Sequence, residues 1–169
     1  MKISTLKAIF NALEKAQVRY LVAGGVAVVV HGYQRMTMDL DIVLQLKDDN
    51  IQAAFNALKK LDYRPSVPVS VEDFADSSKR RQWIQEKGMR VLNLFSDMHP
   101  ETSLDVFVSE PFDFNEEYKS ALHIELEPGL MVRVVSISTL IAMKKHTGRS
   151  LDNEDVKQLQ QILKEQRDG

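Results

Sequence analysis

The first apolar positions of the chain, Ile3, Leu6, Ile9, Phe10 and Leu13, recur at intervals of three and four, with Lys7, Glu14 and Lys15 among them. That spacing predicts an amphipathic helix. Residues 19–23 form a short apolar run that stops at Gly24-Gly25, the pattern of a buried strand. The valine-rich segment 26–31 suits a strand by residue type. One strand over 19–30 would carry a glycine pair in its middle, however, so a buried helix closed by Gly32 is the better reading. Residues 39–46 alternate and then turn apolar, as a strand entering a core does. Ile51, Ala54, Phe55, Leu58 and Leu61 predict a second amphipathic helix, with Asp48, Asp49 and Asn50 as candidate caps.

Residues 63–76, rich in Pro, Ser and Val, read as a short strand plus a loop. Segments 91–95 and 104–108 read as two strands joined by a turn over 96–102. Segments 123–126 and 131–135 flank Glu127-Pro128-Gly129, a hairpin signal. Two helices, 137–146 and 153–164, follow around Thr147-Gly148-Arg149. This order predicts an α/β (α+β) fold, a mixed twisted sheet flanked by helices. It is expected to be a single domain over 1–169, with a core at about 18–108 and a C-terminal hairpin and helices at about 121–165.

Composition narrows the function classes. The 169 residues suffice for one hydrophobic core. The absence of cysteine rules out disulfides, zinc-thiolate sites and thiol nucleophiles. A net charge of −2 argues against bulk DNA or RNA as the main partner, while leaving room for one small basic pocket. The longest apolar stretch, 20–30, spans 11 residues and carries two glycines, against about 20 for a membrane span. The expectation is a cytoplasmic protein without a membrane partner. His31, His99, His123 and His146 are scattered, so no zinc site is expected. Ser103 and Ser136 lack the partners of a serine hydrolase.

The informative constellation is a strand, Gly24-Gly25, a short helix, and then Asp39-Leu40-Asp41 at the head of another strand. Residues i and i+2 of a strand share a face at a spacing of about 6.6 Å, so the two carboxylates repel. A hard divalent cation would relieve that conflict; the plain alternative is two solvent-facing acids on an edge strand. Asp105, in the apolar run 103–107, offers a third acid. The glycine pair leaves backbone N–H groups at a helix start open to a phosphate. Neither a P-loop nor a dinucleotide fingerprint is present.

Leu21-Val22-Ala23-Gly24-Gly25, thirteen residues, then Asp39-Leu40-Asp41-Ile42, with Asp105 further on, resembles the signature of the polymerase-beta-like nucleotidyltransferase superfamily. Within it the chain is most similar to the minimal nucleotidyltransferase and AbiEii-like group. Leu140-Ile141-Ala142-Met143-Lys144, Gly148-Arg149 and the acid-rich segment 152–156 resemble that group's closing pattern. The resemblance covers about residues 20–46, 103–108 and 136–160, and 62–102 match nothing comparable. It implies metal-dependent transfer of a nucleoside monophosphate from a nucleoside triphosphate to a hydroxyl of a protein, a tRNA or a small molecule. It also implies one half of a toxin–antitoxin or phage-defence pair. The alternative is a catalytically inactive subunit of the same fold that binds a partner protein.

By the same resemblance, Asp39, Asp41 and Asp105 would be catalytic and would hold two Mg²⁺ ions, with Mn²⁺ as the substitute. Gly24, Gly25, Arg35, Thr37 and Lys144 would bind the nucleotide. At position 25 many members carry Ser, whose hydroxyl touches a phosphate. Arg35 could clamp the β- and γ-phosphates with its fork. Lys144 is expected at the edge of the cleft, replaceable by Ala without unfolding. Asp152 and Asp155 read as helix-start acids. Lys79, Arg80 and Arg81, beside Trp83, read as a solvated helix face rather than a tRNA contact.

Overall fold

The computed structural model describes residues 1–169. Its strands are β1 (Tyr20–Ala23), β2 (Asp39–Leu44), β3 (Arg64–Pro65), β4 (Val91–Phe95), β5 (Ser103–Phe107), β6 (Leu122–Glu127) and β7 (Leu130–Val134). Strand β2 shows how the sheet is made. Leu40, Ile42 and Leu44 are fully buried on one face, and Asp39 and Asp41 lie on the other, as a period of two dictates. Leu92, Leu94, Leu104 and Val106 continue the buried face across β4 and β5, each 1% exposed or less. The seven strands form one mixed sheet in the order β3-β4-β5-β2-β1-β7-β6. The β2–β5 and β1–β7 pairs are parallel and the rest antiparallel.

The helices are α1 (Ile3–Lys15), α2 (Gly24–Val30), α3 (Asp48–Lys59), α4 (Val71–Ala75), α5 (Ser77–Lys87), α6 (Phe114–Ser120), α7 (Ile137–Thr147) and α8 (Ser150–Asp168). The segment after the glycine pair is helical, as its place between two strands requires. Helix α3 starts without a side-chain cap, at Lys47, with Asp48 and Asp49 inside its first turn. Asn50 does something else. Its carbonyl accepts from the Arg19 N–H at 2.8 Å, and its amide donates to the carbonyls of Arg19 and Gln45 at 2.9 Å, pinning the start of β1 to that of α3.

Three helices lie where the apolar pattern shows none. α4 is a five-residue piece held by a reciprocal cap between Ser70 and Asp73, burying Phe74. α5 has no apolar face, and the residue it buries is Arg80. That side chain is not solvated: it donates to the carbonyls of Phe74 and, at 2.9 Å, Ala75, and lies over the Phe74 ring. Only Lys79 and Arg81 of the basic run are exposed. α6 is capped by Asp113, and its buried Glu117 accepts from the Ser136 N–H and the Thr139 hydroxyl, each at 2.6 Å, so it holds the start of α7.

One core of 36 buried residues runs from Ile9 to Leu159. Helices α1, α3 and α4 pack together under the fully buried sheet face. On the face that carries Asp41, α2 packs on β1 and β2, with α7 against α2 and α8 against α7. No helix covers the β4–β5 half of that face. Val91, Asn93, Asp105 and Phe107 are only half-buried there, and Phe95 is 37% exposed. The boundary between covered and open halves runs past Asp41 and Asp105. No helix of the chain is long and apolar enough to cross a membrane.

Candidate active site

The site begins at the junction of β1 and α2. Gly24 has φ +61°, and a Cβ there would lie 1.9 Å from Oδ2 of Asp41, so any side chain would meet both backbone strain and a collision. A Cβ at Gly25 would lie 2.3 Å from the Thr37 hydroxyl and 3.2 Å from a guanidinium nitrogen of Arg35. The Gly25 N–H lies on the Asp41 side and favours the charged form of that carboxylate. The glycine pair is thus a seat, filled by the Asp41 carboxylate on one residue and the Thr37 hydroxyl on the other.

Sheet register brings the acids together. Asp41 is the Cα partner of Ala23 on one side and of Asp105 on the other, and Asp39 is the partner of Ser103. Neighbouring strands lie about 4.8 Å apart, so Asp41 and Asp105 stand side by side on one face. Each carboxylate has its own partner: Ser103 donates its hydroxyl to Asp39, and Asn93, opposite Asp105, donates to it at 2.8 Å. No three acidic or histidine side chains are gathered closely enough to form a finished ligand cluster.

Crowding of negative charge shows in the titration of the acids. The Asp41 carboxyl is pushed up to about 6, first by burial and then by Asp105 and Asp39, with Lys144 and the Gly25 N–H pulling the other way. Asp105 is also raised, by burial and by Asp39, against the Asn93 hydrogen bond. Three hard oxygen donors on two adjacent strands are chemically suited to a hard divalent ion.

Of the basic side chains around this group, Arg35 and Lys144 are already paired. Arg35 meets Asp155 with two nitrogens, Nε at 2.8 Å and Nη2 at 2.9 Å. Lys144 bridges Asp152 and Asp155, at 2.9 Å each. Thr147 donates to Asp152 at 2.5 Å. Burial raises the Asp152 carboxyl, but the Thr147 hydroxyl, Lys144 and Arg149 outweigh it and hold it below the usual carboxylate range. Asp155 is fully buried. Asp152 and Asp155 are therefore counter-charges to the site cations rather than helix-start acids alone, and Lys144 is buried rather than a surface side chain.

A cavity of about 400 Å³ lies between these elements. All of Gly24, Gly25, Arg35, Thr37, Asp39, Asp41, Asp105 and Lys144 line it. The chain matches, over residues 8–158, the family described as Nucleotidyl transferase AbiEii toxin, Type IV TA system.

The chain belongs to the AbiEii family.

Solved nucleotidyltransferase structures share the fold of this AbiEii protein. The lincosamide antibiotic adenylyltransferase LnuA, bound to lincomycin, matches with a TM-score of 0.59 at 18% identity, over 93% of this chain and 95% of its own. A putative nucleotidyltransferase from Thermotoga maritima matches with a TM-score of 0.57 at 15% identity, over 96% and 92%. ANT(2")-Ia, in complex with adenylyl-2"-tobramycin, matches with a TM-score of 0.59 at 12% identity, over 95% and 88%. No curated protein is similar to the chain in sequence. These likenesses show a fold shared with nucleotidyltransferases.

The AbiEii chain also lines its cavity with residues that the sequence patterns did not single out for the site. Arg90, Val91 and Phe107 come from the open β4–β5 half, Met36 and Met38 from the loop before β2, and Thr147 and Leu151 from the α7–α8 junction. Residues 62–102 match no motif, so a single arginine ahead of β4 carried no signal. Its position emerges only when β4 pairs with β5.

Proposed function

We propose that this AbiEii protein transfers a nucleoside monophosphate from a nucleoside triphosphate to a hydroxyl acceptor. The observation that carries the proposal is the shared cavity. It joins three mutually repelling carboxylates on adjacent strands to a glycine seat and to two basic side chains. Asp39, Asp41 and Asp105 would hold Mg²⁺, as two ions, with Mn²⁺ as the substitute. When bound, the metal neutralises phosphate charge and makes a coordinated hydroxyl more acidic.

The other roles belong to the chain. The N–H groups of Gly24 and Gly25 and the hydroxyl of Thr37 orient the phosphates at the start of α2. Arg35 and Lys144 supply positive charge to the β- and γ-phosphates, which must compete with Asp152 and Asp155 for them. Asp105, on the open side, takes the proton of the attacking hydroxyl. Donors fixed in advance stabilise charge on the reacting phosphate without rearranging. Membership of a toxin–antitoxin family supports a cognate protein partner as well. A protein, a tRNA or a small molecule could supply the hydroxyl.

The test is a thermal melt with each of the four triphosphates and Mg²⁺, paired with transfer assays using α-labelled triphosphate. A ligand at 100 times its Kd adds about 2.7 kcal/mol, or a rise of about 5–10 °C for a domain of this size. Asp39→Asn combined with Asp41→Asn should abolish both the rise and the transfer. Indifference of the wild type to all four triphosphates would leave the fold as a non-catalytic binding subunit.

A further inference from the structure

We infer that Asn93 is a positioning residue for Asp105, turning that carboxylate toward a divalent ion without cancelling its charge. The inference rests on the metal site proposed above and assigns a residue that supports it. The acids of the site fall into two sets by what they meet. Asp152 and Asp155, on α8, meet the cations Lys144 and Arg35. Asp39, Asp41 and Asp105, on the sheet, make no ion pair. Their partners are neutral: the Ser103 hydroxyl for Asp39, the Asn93 amide for Asp105 and the Gly25 N–H for Asp41. A lysine or arginine in those places would compete with a metal for the same charge. A neutral donor orients a ligand and leaves its charge for the ion.

Packing gives no reason for asparagine at this place. Asn93 interrupts an otherwise apolar strand, Val91-Leu92-Asn93-Leu94-Phe95. Leu92 and Leu94 face the core, and the neighbours of Asn93 on the open face are Val91 and Phe95. Asparagine is depleted in strands, which favour β-branched and aromatic residues. Its side chain makes one hydrogen bond within the chain, from Nδ2 to Oδ1 of Asp105 at 2.8 Å. A carboxylate can only accept, so the amide must turn its NH₂ group that way.

Register makes that bond directional. Asn93 and Asp41 are the Cα partners of Asp105 on its two sides, because β5 lies between β4 and β2. Holding Oδ1 toward β4 leaves Oδ2 for the space that Asp105 shares with Asp41. Both ends of the bond are fixed to rigid backbone. Asp105 stands between Leu104 and Val106, which are fully buried. The Asn93 carbonyl accepts from the N–H and the hydroxyl of Ser66, at 3.0 and 3.3 Å, which ties β4 to the residue after β3. An unrestrained carboxylate among like charges rotates away from them. One held by Asn93 is already turned to the ion, so less order is lost when the ion binds.

The experiment titrates Mn²⁺ alone into the full-length protein and follows the electron paramagnetic resonance signal of the free ion. Asn93→Leu keeps the size of the side chain and removes the donor. It should weaken Mn²⁺ binding about tenfold or more, the scale of a lost partner to a metal ligand, while the metal-free protein melts within a few degrees of the wild type. Asn93→Lys should weaken binding as well, because the new ammonium pairs with Asp105. On an Asp105→Asn background, adding Asn93→Leu should change the remaining affinity less than about twofold, since the pair acts as one unit. Wild-type affinity in Asn93→Leu or in Asn93→Lys overturns the inference. So does a full further loss on the Asp105→Asn background, since Asn93 would then act elsewhere than through Asp105. A wild type that binds no Mn²⁺ fails at the earlier step and takes down the metal-dependent transfer reading as well.

Discussion

At the scale of single residues, the glycine pair and the acid it seats carry opposite lessons. Gly24 must be glycine twice over, for its φ of +61° and for the Asp41 oxygen where its Cβ would be. Gly24→Ala should lower the melting temperature and abolish triphosphate binding together. Gly25 has no such φ, and its constraint is a neighbour that can be moved. Gly25→Ser should collide with Thr37 and lower the melting temperature, and adding Thr37→Gly should recover much of that loss. A melting temperature equally low in the single and the double variant would show that the serine itself, not crowding, is at fault.

Asp41 sets a pH dependence. Its folded carboxyl titrates near 6 against an ordinary value of 3.8, so folding favours the protonated form. The stabilisation is complete below about 3.8 and is lost as pH rises through about 6. Asp152 has the opposite sign, but its contribution is lost only below the usual carboxylate range. Without Mg²⁺, the wild type should therefore gain more stability than Asp41→Asn between pH 7 and pH 5. Equal slopes in chemical denaturation would contradict that. Little of this was legible in the chain. Asp-x-Asp declared two acids on one face, but the burial that shifts Asp41 comes from packing.

At the scale of elements, the α7–α8 corner is a clasp on the loop before β2. Asp155 has no exposed side-chain surface and holds both Arg35 and Lys144, whose side chains are 13% and 11% exposed. Removing one partner of a buried pair leaves the others charged and unmatched, at a cost of about 3–5 kcal/mol. Asp155→Ala should lose that much in urea unfolding, and Lys144→Ala should lose stability too. This revises the sequence-based expectation that Lys144 is replaceable without affecting the fold. Lys145→Ala, one residue on and about 100° round the helix, changes an exposed side chain and should match the wild type. The clasp was invisible because its members are far apart, with Arg35 and Asp155 separated by 120 residues. Helix α5 was hidden for another reason: it buries Arg80 rather than an apolar stripe, so no period marks it.

At the scale of the molecule, the core and the C-terminal part share one sheet. β7 lies inside the sheet, between β1 and β6, and Val134 is fully buried. The chain should unfold in one calorimetric transition, with van't Hoff and calorimetric enthalpies equal. A fragment ending after residue 108 should fail to fold, because β1 would lose β7 and keep only β2, and α2 would lose the helix packed against it. Two resolved transitions would refute the single-unit view.

The sequence by itself determined what short-range rules can specify. Periods of two and of three to four placed most strands and the long helices. The glycine pair forced a turn from strand to helix, and Asp39-Leu40-Asp41 put two acids on one face, because each depends only on near neighbours along the backbone. Those residues carried the resemblance to the AbiEii-like group, the family that the chain matches. Only the tertiary structure decided that Asp105 stands beside Asp41, that Thr37 fills the place of a side chain at Gly25, and that Asp155 binds both site cations. Those relations depend on strand order and on contacts between residues tens of positions apart, and no local period in the chain encodes them.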